Sequence, residues 1–290
     1  MGNDTSIIEH LKTNKDEIYL IAEIGINHNG DMNITKKLID ASYACGWHCV
    51  KFQKRNPDVC VPDDQKNIKR DTPWGEMTYL DYKYKVEFGK TEYDEIDSYC
   101  QDKPILWTAS VWDLDSLEFM ADYKIPFLKI PSAHLTNLEL IKACAMTNVP
   151  ILISTGMSDW QMVDDAVEIL EKANTEYSIL HCNSTYPAPH EDLNLNVILE
   201  MKNRYDCIIG YSGHEYDLVP SQTAVAIGAR IIERHVTLDH TMWGTDQSAS
   251  LEVHAMDLLS KRLRGITKML GGKEKVITAS EIPVMKKLRG

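Results

Sequence analysis

Strand-like and helix-like segments alternate along almost the whole chain, and this alternation restricts the fold more than any other feature. Short apolar runs such as residues 151–154 are typical of buried strands. The segments between them carry apolar residues at three- and four-residue spacing, as at Val163, Val167 and Leu170, which predicts amphipathic helices. Strands that alternate with helices in this way indicate a parallel sheet covered by helices.

Eight strand–helix units can be placed along the 290 residues. The predicted strands cover residues 19–24, 49–52, 105–109, 127–130, 151–154, 177–182, 207–211 and 231–234. The predicted helices cover residues 34–45, 91–100, 114–123, 138–146, 161–173, 197–203, 221–227 and 254–270. Eight units in roughly 250 residues match an α/β protein built as a single-domain (β/α)8 TIM barrel, which we expect here; a doubly wound sheet is the alternative.

We place this barrel at residues 18–272, between an N-terminal extension (1–17) and a C-terminal tail (273–290). The long segment 53–89, after the second strand, is expected to be irregular. Loops of that length usually serve as lids or binding loops.

The charge and the cysteines exclude several classes of function. The formal net charge is -12 and no long Lys/Arg cluster occurs, which argues against nucleic acid or an anionic membrane as the partner. No segment approaches the ~18 uninterrupted apolar residues of a membrane span. The 7 cysteines are scattered, with no C-x-x-C pair, so neither a disulfide framework nor a structural zinc site is indicated. We expect a cytoplasmic protein that acts on a small molecule.

Polar side chains lie at or just after the end of each predicted strand, which is where a barrel of this kind carries its active site. They are Glu23, Lys51, Gln53, Thr108, Ser110, Lys129, Ser132, Ser154, His181, Asn183, Ser184, Ser212, His214, Glu233 and His235. A single serine or threonine at a strand end is usually satisfied by nearby backbone, but eight strand ends with the same character predict a polar site.

These residues fall into two chemical sets. Lysines and serines, among them Lys51, Lys129 and Ser154, are suited to a phosphate or carboxylate in a chain that has no G-x-x-x-x-G-K-[ST] loop. His214 and His235 end sequential strands, so their imidazoles could converge on one divalent metal. A hydrogen-bonded histidine pair without metal is the alternative.

Eight ordered fragments make the chain resemble the sialic acid synthase family, also called N-acetylneuraminate synthase, over residues 18–290. They are AEIGINHNG, VKFQ, KIPS, ISTGM, LHCNSTYPAP, GYSGH, IIERHVTLD and MWGTDQSASLE. The resemblance implies a (β/α)8 barrel that condenses phosphoenolpyruvate with an N-acetylated hexosamine to a nonulosonic acid and releases phosphate. It also implies a divalent metal, Mn2+ first, with Mg2+ or Co2+ as alternatives.

Carried over by position, the resemblance implies a role for each polar residue. Phosphoenolpyruvate would be bound by Lys51, Ser110, Lys129, Ser132, Ser154, Ser184 and Ser212, and the metal by His214 and His235. The sugar would be contacted by Gln53, Tyr186, Glu233 and Asp246, with Asn183 also in the substrate-binding set. Glu23 would orient or deprotonate water, so the catalytic set is Glu23, Lys51, Lys129, His214 and His235. Strand alternation places Arg234 outside the barrel, where it should be paired.

The chain departs from the family pattern at three places. Ser110 lies in ASVWD instead of STPFD, Ala133 and His134 follow Ser132 in place of glycine, and Ser184 replaces the asparagine of some members. The chain also stops at Gly290, where full-length members continue into an antifreeze-like domain, so we expect the catalytic barrel alone. A homodimer and a separately encoded antifreeze-like domain are the expected partners, together with phosphoenolpyruvate and the amino sugar.

Three other functions compete with this one. Another 3-deoxy sugar acid synthase, such as one for octulosonate 8-phosphate, would need rim arginines, for which Arg55 and Arg70 are candidates. A Schiff-base aldolase could use Lys129 or Lys51. A non-catalytic ligand-binding barrel is the third alternative.

Overall fold

The computed structural model describes residues 6–290, and within that range eight parallel strands close into one barrel. Residues 1–5 of the predicted N-terminal extension lie outside the described range. The strands are β1 (Tyr19–Gly25), β2 (Cys49–Lys54), β3 (Lys69–Thr72), β4 (Gly75–Thr78), β5 (Leu106–Val111), β6 (Leu128–Ile130), β7 (Ile151–Ser154), β8 (Tyr177–Cys182), β9 (Ile208–Gly213) and β10 (Ile231–His235). Around the barrel they follow chain order without β3 and β4, and β1 pairs with β10 to close it. The predicted single-domain TIM barrel is confirmed.

The helices cover the outside of the barrel as their apolar spacing predicts. They are α1 (Ile7–Thr13), α2 (Met32–Ala44), α3 (Pro57–Cys60), α4 (Tyr79–Val86), α5 (Lys90–Asp102), α6 (Leu114–Met120), α7 (Leu138–Ala145), α8 (Trp160–Lys172), α9 (Val197–Arg204), α10 (Val219–Ala226), α11 (Val253–Leu270) and α12 (Glu281–Arg289). In α8, Val163, Val167 and Leu170 are buried, and the Asp159 carboxylate caps the first turn by accepting from the Met162 amide at 3.0 Å. Burial of each such aliphatic side chain contributes about 1.5–3 kcal/mol, so the core face of α8 holds it against the sheet.

Apolar side chains fill the half of the barrel interior nearest the amino ends of the strands. This lower half consists of Tyr19, Ile21, Cys49, Phe127, Leu152, Leu180 and Ile231. Helix α1 packs on the same cluster through Ile7, Ile8 and Leu11, and the Ser6 hydroxyl caps it by accepting from the Glu9 amide at 3.1 Å. The N-terminal segment therefore plugs the bottom of the barrel.

The segment 53–89 is more regular than expected, because α3, the antiparallel hairpin β3–β4 and α4 all lie within it. The part from Lys69 to Val86, here called the hairpin module, packs against the loop that follows β10. The ring of Trp243 in that loop meets the rings of Trp74 and Tyr82 at centroid distances of 5.7 and 5.1 Å. The module is thus fixed beside the end of the last strand.

Two further features of the fold concern its helices and its cysteines. Across residues 6–290, none of the helices combines the length and the apolar character that crossing a membrane would need. All seven cysteines are free thiols, as the absence of paired spacing predicted.

Candidate active site

The carboxyl-end half of the barrel interior encloses a polar cavity of about 200 Å³. Strand alternation builds much of it, because several of its polar residues follow an apolar lower-half residue by two positions, as Glu23 follows Ile21 and Lys129 follows Phe127. The lining residues, here called the upper half, are Glu23, Lys51, Gln53, Ser110, Trp112, Lys129, Pro131, Ser132, Ala133, Ser154, Met157, Cys182, Ser184, Tyr186, Ser212, His214, Glu233 and His235.

Two lysines and two glutamates form the charged centre of this cavity. Lys51 Nζ lies 2.6 Å from Glu23 Oε2 and 3.5 Å from Glu233 Oε1. Lys129 Nζ lies 4.0 Å from Glu233 Oε1 and donates to Ser154 Oγ at 2.6 Å. All four ionisable side chains are buried. Buried charges are costly unless each has a partner, and here every lysine faces a carboxylate.

Burial and pairing shift the pKa values of these groups in different directions. Burial raises the pKa of Glu23, although Lys51 opposes the rise. Burial also disfavours the charged form of Glu233, but Lys129 and Lys51 outweigh it and hold that pKa below its usual value. Burial lowers the pKa of Lys129, whereas for Lys51 the two glutamates overcome burial and raise it. Glu23 is therefore the carboxyl better suited to exchange a proton.

A second layer of hydrogen bonds orients these carboxylates. Gln53 Nε2 donates to Glu23 Oε1 at 2.9 Å, and the Arg55 guanidinium donates in turn to Gln53 Oε1. Ser212 Oγ donates to Glu233 Oε1 at 3.3 Å. The Glu233 Oε2 atom is buried and has no hydrogen-bond partner among the described residues, so it can still accept a bond from a hydroxyl donor.

The two histidines lie side by side at the cavity wall, with ring centroids 5.4 Å apart. His214 Nδ1 donates to the Asn183 carbonyl at 2.6 Å, which leaves the lone pair on Nε2. His235 Nδ1 is buried without a hydrogen-bond partner in residues 6–290, and Asp246 Oδ2 lies 3.8 Å away. The ring of Tyr186 lies 4.0 Å from that of His214.

This donor set fits a divalent metal with two protein ligands. An oriented imidazole and an unpartnered buried ring nitrogen are nitrogen donors of the type that divalent transition metals accept. Within the described residues, no group of three or more His, Cys, Asp or Glu side chains is arranged to hold a metal, so further ligands would have to come from water or substrate. The alternative of a directly hydrogen-bonded histidine pair leaves His235 Nδ1 unexplained.

Some of the predicted site residues do not line this cavity. Thr108 donates to the Phe127 carbonyl at 2.5 Å, and Asn183 Nδ2 donates to the Asp192 carbonyl at 3.1 Å. His181 faces a groove of about 680 Å³ outside the barrel, which Asn183 and Asp192 also line, and its Nε2 atom bonds the Leu193 carbonyl at 2.7 Å. Asp246 lies near His235 but is not among the residues that line the cavity.

Cys182 is a cavity residue that the sequence reasoning missed. Its sulfur lies 3.8 Å from His214 Nδ1. Because Cys182 pairs in register with Ser212 on β9, strand alternation turns it inward and its neighbour His181 outward. The same alternation counted from Leu180, which ends an apolar run, could have identified it.

Arg234 lies outside the barrel, as strand alternation predicted. Its Nη1 atom lies 2.8 Å from Glu215 Oε1 and donates to Ser221 Oγ at 3.1 Å. Tyr211 donates to the other Glu215 oxygen at 2.9 Å. The alternation in Glu233, Arg234 and His235 thus sends one charge to the helix layer and two ionisable groups to the cavity.

Comparison with known proteins agrees with this architecture. Residues 38–275 match the NeuB family. N-acetylneuraminate-9-phosphate synthase from Drosophila melanogaster is 39% identical over 84% of this chain and 67% of its own. N,N'-diacetyllegionaminic acid synthase from Campylobacter jejuni is 33% identical over 90% of this chain and 80% of its own.

A solved structure gives the same result in three dimensions. The N-acetylneuraminic acid synthetase from Leptospira borgpetersenii superposes with a TM-score of 0.84 at 31% identity, covering 94% of this chain and 93% of that chain. With a family match over most of its length and relatives above 30% identity, the chain belongs to the NeuB family of sialic acid synthases.

Proposed function

We propose that this protein condenses phosphoenolpyruvate with the open-chain aldehyde of an N-acetylated hexosamine, giving a nonulosonic acid and phosphate. The observation that carries the proposal is the meeting of two buried lysines, two buried glutamates and two histidines in one cavity. The names of the relatives support a sugar-acid product, although they differ in the acceptor.

Phosphoenolpyruvate would bind to the lysine and serine side of the cavity. Lys129, positioned by Ser154, and Lys51 supply two cations for its phosphate and carboxylate. Close by, the Gly156 amide donates to Ser132 Oγ at 3.0 Å. A Cβ atom at Gly156 would lie 2.9 Å from that oxygen and would also collide with Ser184 Oγ, so glycine keeps space for two hydroxyls facing the substrate.

A divalent metal, which we propose to be Mn2+ held by His214 and His235, would polarise the acceptor carbonyl when bound. A C–C bond forms between the methylene carbon of phosphoenolpyruvate and the aldehyde carbon, whose oxygen takes up a proton and becomes a hydroxyl. The adjacent phosphate-bearing carbon, left with a positive charge, captures water, and the resulting tetrahedral centre expels phosphate by C–O cleavage. Glu23, whose pKa is raised by burial, would take the proton from that water.

The acceptor would lie beside phosphoenolpyruvate in the same cavity. Gln53, Tyr186 and Glu233 line the cavity, and Asp246 lies near His235. We further propose that the protein acts in the cytoplasm as a homodimer and that an antifreeze-like domain contributes a contact to the N-acetyl group. Addition of that domain should then raise the selectivity for N-acetylmannosamine over mannose.

A Schiff-base aldolase is a second candidate, because burial lowers the pKa of Lys129 and favours the neutral amine that such enzymes need. The close Ser154 hydroxyl and the Glu233 carboxylate favour instead an ammonium that binds an anion. Borohydride added during turnover separates the two, since only the aldolase would trap a covalent adduct on Lys129.

The direct test is phosphate release from phosphoenolpyruvate with Mn2+, measured with N-acetylmannosamine, its 6-phosphate, 2,4-diacetamido-hexoses and arabinose 5-phosphate. We expect release to require an acetamido sugar and to stop with a chelator. Release with arabinose 5-phosphate alone would identify an octulosonate synthase. Absence of release with every acceptor, from folded protein, would refute the proposal.

A further inference from the structure

The two histidines of the cavity lie beyond the last registered residue pair of their neighbouring strands. His214 follows β9 and His235 ends β10, whereas the register between these strands ends at Gly213 and Arg234. On its far side His214 is held towards β8, because its Nδ1 atom donates to the Asn183 carbonyl at 2.6 Å. His235 is held towards β1 by the pairing of that strand with β10. The ladder between β9 and β10 therefore ends before it reaches the two imidazoles.

The Arg234 side chain crosses from β10 to the segment that follows β9. Its Nη1 atom donates to the Asp217 carbonyl at 3.0 Å, and its Nη2 atom donates to the Glu215 carbonyl. Both carbonyls belong to residues 215–217, directly after His214. Because Arg234 directly precedes His235, its guanidinium joins the backbone beside one imidazole to the backbone beside the other.

A buried ion pair holds this guanidinium in place. The side chains of Arg234 and Glu215 are both 0% exposed, and Nη1 lies 2.8 Å from Glu215 Oε1. The Ser221 hydroxyl accepts from the same Nη1 at 3.1 Å, and Tyr211 donates to Glu215 Oε2 at 2.9 Å. Such a network of buried hydrogen bonds and charges leaves each member few alternative positions.

The last residue of β9 makes room for this ion pair. A Cβ atom at Gly213 would lie 2.6 Å from Glu215 Oε2 and 2.7 Å from the Tyr211 ring. Glycine is the residue that permits so close an approach. The carboxylate therefore occupies space that any other residue at this position would fill.

We propose that Arg234 is a positioning residue that fixes the separation at which His214 and His235 bind one divalent metal, acting through Glu215 and the backbone of residues 215–217. The inference rests on the proposed metal site and adds to it a residue outside the cavity. A planar guanidinium suits this role because it can donate to several acceptors at once, whereas a lysine ammonium is a single point charge.

The first test measures Mn2+ binding to the metal-free protein by electron paramagnetic resonance of the free ion. Arg234→Met should raise the Kd for Mn2+ at least about tenfold, because residues that orient metal ligands typically contribute that much. Arg234→Lys, which keeps the charge but not the fork, should fall between Arg234→Met and wild type. The Kd for phosphoenolpyruvate without metal, measured by calorimetry, should change less than about twofold, because Lys51, Lys129 and Ser154 lie on other strands.

A double variant separates positioning from general support of the fold. Arg234→Met leaves the Glu215 carboxylate buried without its cation, which should lower the urea midpoint of unfolding. Adding Glu215→Gln removes that charge and keeps an acceptor for Tyr211, so the double variant should regain most of the lost midpoint. Its Mn2+ affinity should stay as weak as that of Arg234→Met. Recovery of both properties together would overturn the positioning role.

Arg230→Met is the matched control, because Arg230 stands directly before the same strand at the opposite end of the barrel. It also donates to backbone carbonyls, those of Asn14 and Glu17, at 2.5 Å each. The variant should lose stability and keep the wild-type Mn2+ affinity. A loss of affinity equal to that of Arg234→Met would show that metal binding only follows stability, and would also overturn the inference.

The outcomes distinguish this inference from the proposed condensation. Wild-type Mn2+ affinity in Arg234→Met would overturn the positioning role and leave the condensation intact. A wild-type protein that releases phosphate from phosphoenolpyruvate but binds no Mn2+ would overturn the metal site and the positioning role together. Weakened Mn2+ binding in Arg234→Met, with no phosphate release by the wild type from any acceptor, would overturn the condensation alone.

Discussion

The two halves of the barrel interior are built from the same strands, yet their compositions are opposite. In the lower half, Ile21, Phe127 and Leu152 pack with the plug helix α1. Two residues further along the same strands, the upper half presents Glu23, Lys129 and Ser154. A shift of two positions along a strand, about 6.6 Å, therefore separates the apolar core from the charged cavity.

The difference indicates how the protein divides stability from chemistry. Burial of apolar side chains in the lower half stabilises the fold, while the buried charges of the upper half at best offset their own desolvation. Substitutions in the two halves should thus separate into those that change the free energy of unfolding and those that change turnover.

The largest expected effect is on turnover and comes from the histidines. His214→Ala or His235→Ala should lower kcat/KM at least about 1000-fold, equivalent to about 4 kcal/mol, because each removes a candidate metal ligand. Steady-state phosphate release with Mn2+ measures it. His181→Gln is the control, since its ring faces the outer groove. A double histidine variant with full, metal-independent activity would contradict the metal assignment.

The second effect is on stability. Phe127→Ala in the lower half should reduce the free energy of unfolding by about 3–5 kcal/mol, because a fully buried ring is replaced by a cavity. Urea denaturation measures this loss. The variant protein that remains folded should keep the wild-type KM for phosphoenolpyruvate, and a large rise in KM would show that the two halves are not separable.

The third effect is on turnover and comes from a lysine of the upper half. Lys129→Met should cost about 2 kcal/mol in kcat/KM, or roughly 30-fold, mainly through a higher KM for phosphoenolpyruvate. The expected cause is loss of the cation that Ser154 positions. An unchanged KM in initial-rate measurements would remove Lys129 from the substrate site.

The smallest effect is on stability and tests the packing of helix α1 on the lower half. Ile8→Val should lower the free energy of unfolding by about 1 kcal/mol, because one methylene of a fully buried side chain is lost. Ile282→Val in the exposed helix α12 is the matched control and should change it by less than about 0.5 kcal/mol. Equal effects in both would show that α1 contributes nothing to the lower half.

The strand framework could be predicted closely because it depends on local periodicity. All eight barrel strands appear where apolar runs indicated them, and the errors lie at their ends. β5 continues to Val111 and β10 to His235, beyond the predicted ends, because Ser110 and His235 are polar and resemble loop residues. The barrel interior buries them, and sequence pattern alone cannot show that.

Other features depend on contacts that no local pattern encodes. The hairpin β3–β4 was missed because its strand Lys69–Thr72 is polar and exposed, without alternating apolar residues. The contact of Tyr82 with Trp243 joins segments that are distant in the chain, so only tertiary packing reveals it. Roles in the site came from family resemblance, and those of Lys129, His214 and His235 are predictions that the assays above test.

The strands β1 and β10, whose pairing closes the barrel, end at the candidate active site. β1 and β10 pair in parallel, and Glu23 lies opposite His235 in that register although about 200 residues separate them in the chain. Such distant pairing carries an entropic cost that must be met before its contacts form. A nascent chain would therefore have no complete cavity until its first and last barrel strands had met. Recovery of turnover after dilution from denaturant can then be used to time ring closure.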